Sequence, residues 1–319
     1  MKIRNGMKKN IMLLVIALTA VCAVVCVELG TAASSAKKEK VYFYTLFGWG
    51  KEADAQYSTL FQEFSRLMKE ELKIETEYKY FKSEDEFFKQ LAKPGPKFAI
   101  VGRREQLVRA MSEFGYEPFV TYEVYGLKSN RICLYTGIES EIDDVSKLAG
   151  TTLGMYDEEY AYYALWEIVG VRPDKFFRQM EVSKSSLGGV YLFSMGEVKS
   201  VLVTDQMRAF LKENNPALAS KLKKLACAEP YTFMPTLKSK DVSEDMVKKV
   251  WELLSKVSKG KRLKQYSGVL RLSSIELRRV TAEDYKSDFE TRKKASEAGW
   301  DKAYMEWQRS IEEQEKQSK

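Results

Sequence analysis

Thr151–Gly170 reads TTLGMYDEEYAYYALWEIVG, and this stretch decides the fold. Thr152–Met155 is short and apolar enough for a buried strand. Three acids, Asp157, Glu158 and Glu159, then stand where a helix would begin, and Glu159–Val169 is an apolar helix closed by Gly170. Acids in a first turn complement the partial positive charge of a helix N-terminus, and glycine is the usual residue just past a helix end. Strand, turn, helix in about twenty residues is the unit of an α/β protein.

The same unit recurs on both sides. Toward the N-terminus, Val41–Phe47 (VYFYTLF) reads as a strand and GWGK as a turn. A helix follows in which Leu60, Phe61, Phe64, Leu67, Met68 and Leu72 recur at spacings of three and four, the periodicity of one buried helical face. Ile74–Tyr80 is a strand, and Ser83 with Glu86 three residues on is the pattern of a capping box for the next helix. Phe98–Val101 is a strand, Glu105–Phe114 a helix and Arg131–Thr136 a strand. Toward the C-terminus come strand Met180–Val182, helix Gly188–Met195, strand Ser200–Thr204, helix Asp205–Asn214 and strand Leu222–Cys227. AEPYTFMP is an extended return path, helices span Glu244–Ser258 and Gly260–Tyr266, and amphipathic helices are expected from Ala282 onward. Such alternation predicts mainly parallel sheets flanked by helices, and 319 residues are enough for two lobes rather than one.

Composition narrows the function. The chain has no histidine, which removes the commonest general base and metal ligand; no catalytic residue, cofactor or metal is expected. Asp157 and Glu159 as an acid–base pair are all that an enzyme reading has to stand on. The net charge is +7, but Lys2, Arg4, Lys8, Lys9 and Glu28 lie in the leader, leaving +4 over the remainder. Bases interleaved with acids are not the stripe that nucleic acid requires. The basic start, the apolar run Ile11–Val27 and the small residues Thr31, Ala32, Ala33 and Ala36 read as a signal peptide over 1–36. An uncleaved anchor is the rival, since the run is close to the length that spans a bilayer. The expected location is periplasmic or extracellular. Past the leader only Cys133 and Cys227 remain, as a disulfide or as two buried thiols.

SKLAGTTLG (146–154), VGVRPDKFF (169–177), MGEVKSVLVTDQ (195–206), NPALASKLKKL (215–225) with AEPYTFMP (228–235), and VTAEDY (280–285) together resemble the periplasmic phosphate- and phosphonate-type binding proteins that feed ABC transporters. The resemblance implies a non-enzymatic, two-lobed fold of the type 2 periplasmic binding proteins, with 37–135 plus 236–285 as lobe 1, 136–235 as lobe 2 and 286–319 as a C-terminal helical tail. Two extended hinge strands are implied near Gly137 and near Pro230–Pro235, which sets Cys133 and Cys227 on strands entering the hinge and favours their pairing. The implied partners are a small-molecule ligand of undecided charge and a transporter permease or membrane sensor, with the protein a monomer.

Ligands in open α/β sheets lie beyond the C-terminal ends of strands. The candidate ligand-binding residues are therefore Tyr44 and Trp49 after the first strand, Arg103 and Arg104 after Val101, and Tyr156, Asp157, Glu158, Glu159 and Tyr160 after Met155. Ser185 and Ser186 before the Gly188 helix and Asp205 complete the set. The family holds its anion with a Ser/Thr-rich loop at a helix N-terminus; the matching position here carries Tyr156, Asp157, Glu158, Glu159 and Tyr160. Two like charges about 4 Å apart cost roughly 4 kcal/mol at an effective dielectric near 20, or about three orders of magnitude in affinity, so phosphonate or phosphate specificity is not expected. Ser186 stands where the family often has histidine, and Lys199 where it has an acid. The carboxylates suit a cation or amine walled by tyrosines, whereas Arg103 and Arg104 suit a carboxylate or phosphate. Besides solute capture, a degenerate domain serving as a sensory or protein-interaction module fits the altered loop.

Overall fold

A computed structural model describes residues 40–46, 51–156, 158–183, 186–259 and 275–317. Trp49, Asp157, Ser185, the leader and the Gly260–Tyr266 helix expectation lie outside the described residues. Two sheets make two lobes. The first contains β1 (Lys40–Leu46), β2 (Glu75–Phe81), β3 (Lys97–Val101), β4 (Glu117–Val124), β12 (Thr236–Lys238) and β13 (Ile275–Arg279), in the order β13-β4-β12-β3-β1-β2. The second contains β6 (Ile132–Gly137), β7 (Thr152–Tyr156), β8 (Gln179–Ser183), β9 (Ser200–Thr204) and β10 (Leu222–Cys227), in the order β10-β6-β9-β7-β8.

Pairing is parallel within β3-β1-β2 and within β9-β7-β8 and antiparallel elsewhere. The sheets are thus mixed, less parallel than alternation alone implies. The reason is that β4, β6, β10 and β12 lead into or out of the hinge, where no helix turns the chain around. The hinge consists of β5 (Ser129–Asn130) and β11 (Tyr231–Thr232), paired antiparallel with Tyr231 opposite Asn130. The first crossing therefore precedes Ile132. Gly137 lies at the far end of β6, not in the hinge, and β6 belongs wholly to the second sheet; the expected lobe change at 135/136 is corrected accordingly. The Pro230–Pro235 crossing coincides with β11.

Each sheet is covered on both faces. In lobe 1, α2 (Glu84–Leu91) and α3 (Arg104–Phe114) bury Phe87, Phe88, Leu91 and Leu107 on one face. On the other, α1 (Lys51–Leu72) and α9 (Glu244–Lys259) bury Met68, Val247 and Val250 against Phe43 and Phe98. Ser83 caps α2 by accepting from the Glu86 amide, as the sequence predicts. In lobe 2, α4 (Glu159–Val169) and the short α5 (Pro173–Phe176) cover one face. On the other, α6 (Ser186–Ser194), α7 (Asp205–Asn214) and α8 (Pro216–Ser220) enclose Val190, Val201 and Leu211. α6 lies unusually close to its sheet: a Cβ on Gly154 would meet the Gly189 carbonyl oxygen at 3.1 Å, so the approach leaves little room for a side chain at Gly154.

The tail is not a loose appendage. After a 3-10 turn at Ala282–Tyr285, α10 (Lys286–Glu297) and α11 (Trp300–Gln317) return to lobe 2, where Ala295, Trp300, Ala303, Tyr304 and Trp307 join the core around α4. The Tyr162 ring stacks on Trp307 at 5.1 Å and Trp166 on Trp300 at 5.4 Å. Cys133 and Cys227, opposite each other on β6 and β10, form a disulfide.

Candidate functional site

Strands β3, β7 and β9 end at starts of helices α3, α4 and α7, so the chemistry collects at these ends and along the hinge. α3 opens with Arg103 as N-cap, its amide donating to the Gln106 side chain at 3.2 Å. α4 opens at Glu158, whose side chain does not cap it. The two helices belong to different lobes, and α10 bridges them.

Arg104 is the centre of this region. It is only 3% exposed, in the first turn of α3, and its guanidinium reaches out of lobe 1. One Nη donates to Asp288 of α10, which is 1% exposed. The other donates to the Thr232 carbonyl of the hinge at 2.5 Å. The plane lies 3.7 Å from the Tyr231 ring centroid and 5.9 Å from that of Tyr160 in lobe 2, within cation–π range. Burial works against this charge, yet Asp288, Tyr231 and Glu158 outweigh it and hold the guanidinium above its ordinary value. Tyr160 in turn donates to the Asp288 backbone carbonyl at 2.9 Å. Two buried oxygens beside this cluster, Tyr156 Oη and Asp288 Oδ2, have no hydrogen-bond partner among the described residues.

A second set lies next to it. Glu159 accepts from Arg292 at 2.6 Å, and the single proton of the Tyr163 hydroxyl is shared between Glu159 and Asp301, the latter at 2.5 Å. Glu105, the residue after Arg104, is 21% exposed in its side chain and has one buried oxygen without a partner; Arg103 stands 3.7 Å from the other. Burial, with added repulsion from Glu159 and Glu158, pushes its carboxyl up to about 7. Carboxylates here, namely Glu105, Glu158, Glu159, Asp288 and Asp301, outnumber the guanidiniums Arg103, Arg104 and Arg292. Among the described residues no group of three or more Cys, Asp or Glu side chains is arranged to hold a metal ion, and no helix is long and apolar enough to cross a membrane.

The structure brings Arg103, Arg104, Tyr156, Glu158, Glu159 and Tyr160 into one region. Tyr44 is elsewhere: it is packed in the lobe 1 core with its ring 5.3 Å from Phe81, because strand alternation turns its side chain onto the α2–α3 face. Asp205, at the start of α7, accepts from Arg131 at 2.8 Å beside the hinge. Ser186 begins α6. Sequence reasoning missed Glu105, Tyr231, Thr232, Asp288 and Arg292. Glu105 was adjacent to two candidates and could have been included. Asp288 and Arg292 sit in KSDFETRKK, a run that reads as a solvated helix face until its long-range partners are known.

A family model for the ABC transporter, phosphonate, periplasmic substrate-binding protein matches residues 51–285. No curated protein matches the chain in sequence. Among solved structures, the binding protein component of an ABC phosphonate transporter from Pseudomonas aeruginosa superposes with a TM-score of 0.56 at 14% identity, over 87% of this chain and 99% of its own. PhnD1 from Prochlorococcus marinus, in complex with methylphosphonate, gives 0.56 at 14% identity over 82% and 99%. The periplasmic aliphatic sulphonate-binding protein SsuA of Escherichia coli gives 0.51 at 12% over 82% and 88%. At these identities the likeness is one of fold.

Proposed function

Since the chain belongs to the family of phosphonate-type periplasmic substrate-binding proteins of ABC transporters, a family of binding proteins rather than enzymes, we propose that it is an exported receptor. It captures a small cationic or amine solute between its lobes and presents it to a transporter, after cleavage of a signal peptide within residues 1–36. The observation that carries the choice of charge is Glu105, a mostly buried carboxyl on lobe 1 whose proton affinity is raised by burial and by Glu159 and Glu158 on lobe 2. A phosphonate, such as the one in the Prochlorococcus protein, would have to approach these carboxylates, whereas a cation relieves their mutual repulsion. Arg104 is already paired with Asp288 and Arg292 with Glu159, and Arg103, 3.7 Å from Glu105, offsets the repulsion only in part, since the carboxyl stays raised.

Thermal shift across cations, amines, carboxylates and phosphonates tests the proposal, because a ligand of the folded state raises stability by RT ln(1 + [L]/Kd). Cations or amines are expected to raise Tm. A rise with methylphosphonate or phosphate instead would overturn it. The buried Arg104–Asp288 pair favours a second reading, a domain that senses or docks without a solute; silence across the whole panel is the outcome that reading expects.

A further inference from the structure

We propose that the pocket bounded by Asp288, Thr232, Tyr231 and Tyr160 is a guanidinium-binding site that the chain fills with its own Arg104, so that the two lobes are held together without a solute. The inference stands apart from the choice of solute, since it concerns an occupant already present.

The walls have the chemistry of a site for a planar cation. They supply a carboxylate (Asp288), a backbone carbonyl acceptor (Thr232) and an aromatic face (Tyr231), with a second ring at 5.9 Å from Tyr160. This combination suits arginine rather than lysine, because a guanidinium is flat, delocalised and carries a fork of donors, and it is less strongly hydrated than an ammonium. The walls also come from different parts of the molecule than the occupant. Tyr231 and Thr232 belong to the hinge, Asp288 to the tail and Tyr160 to lobe 2, while Arg104 projects from α3 of lobe 1. Tyr160 ties the backbone of Asp288 to α4, and Arg292, one turn further along α10, ties the same helix to Glu159. Separation of the lobes would therefore withdraw the guanidinium from its stack and break its pair with Asp288.

The fit is that of an occupant not fully matched to its site. A guanidinium facing a carboxylate usually engages both oxygens. Here Asp288 Oδ2 and the neighbouring Tyr156 hydroxyl have no partner among the described residues, although Asp288 is 1% and Tyr156 9% exposed. A free guanidinium compound, released from the geometry that α3 imposes on Arg104, has acceptors left to use.

Arg104→Ala opens the site. The variant is expected to melt below wild type and to have a larger radius of gyration in solution scattering. Ethylguanidinium at about ten times its Kd should raise the variant's Tm by about 3 °C and shrink it again, whereas N-ethylurea, of similar shape without charge, should do neither. Wild type, its site filled, should not respond to either compound. Should the variant not fold unaided, the same comparison is made on refolding yield with and without ethylguanidinium. Equal effects of the two compounds, an equal response of wild type and variant, or a variant as stable and compact as wild type would each overturn the proposal. The wild-type solute panel is read with cations and amines other than guanidinium compounds, so a response or silence there leaves this comparison untouched, and the two proposals fail separately.

Discussion

Helices α3 and α4 occupy equivalent places: each follows a strand in the parallel part of its sheet and begins at the edge that faces the other lobe. They are buried in different ways. α3 has an inner stripe of Leu107, Val108 and Ala110, while Arg109 on its outer face pairs with Glu84 at 3.3 Å and Glu113 at 3.1 Å. α4 has six consecutive buried residues, Tyr160–Leu165, because α11 covers the side turned away from the sheet with Trp300, Tyr304 and Trp307. One helix is a two-faced surface element, and the other is sandwiched between its own sheet and the end of the chain. The difference teaches that the stretch from Ala295 to Trp307 is part of lobe 2's core, although more than a hundred residues separate it in sequence from the helix it covers.

The largest effect is expected where the contrast is strongest. Tyr162→Ala removes a fully buried ring that stacks on Trp307 and a hydroxyl that donates to Asp174 at 2.8 Å. Loss of a large buried aromatic costs about 3–5 kcal/mol, to be read from urea denaturation; a loss below about 1 kcal/mol would show that α11 does not share the core.

At the facing helix starts, Glu105→Gln should stabilise, and only at the right pH. The folded state holds this proton more tightly than the unfolded chain, since the carboxyl rises from 4.5 to about 7. Between those values the folded form binds more protons, so wild-type stability falls as pH rises, and the penalty is complete above about 7. At about 1.4 kcal/mol per unit, glutamine should gain at most about 3 kcal/mol at pH 8 and nothing below about pH 4.5. Denaturation curves of both proteins at pH 4 and pH 8 check the sign; a gain at pH 4 as large as at pH 8 would sink the idea.

The smallest effect sharpens the comparison from the other side. Arg109→Ala on the outer face of α3 breaks two exposed ion pairs and a stack on Phe88 at 4.2 Å, and exposed pairs contribute about 1 kcal/mol or less. A Tm close to wild type is expected, in contrast to the result on α4.

The elements of both helices were legible because hydrophobic period and helix-end chemistry are local. Glu159–Val169 coincides with the expected span, and α3 begins one residue early, at Arg104. The strands β4, β12 and β13 were not read as such. β12 has three residues, too short for a periodic signal, and all three are defined by their neighbours, β4 between β12 and β13 and β12 between β3 and β4. Of the candidate ligand-binding residues, those the strand-end rule named at Arg103, Arg104, Tyr156, Glu158, Glu159 and Tyr160 lie in one region. The rule erred at Tyr44, where position along a strand had to be weighed against the face its side chain occupies.

By itself the sequence determined that strands and helices alternate, that two sheets form, that the acids Glu158 and Glu159 begin α4 and that histidine chemistry is absent, all properties of residues near one another in the chain. Only the tertiary structure decided that Arg104 is buried against Asp288, 184 positions away, and that the tail completes lobe 2. Those outcomes depend on desolvation and on partners brought together by folding, and a buried charge has no signature in the sequence until its counter-charge is found.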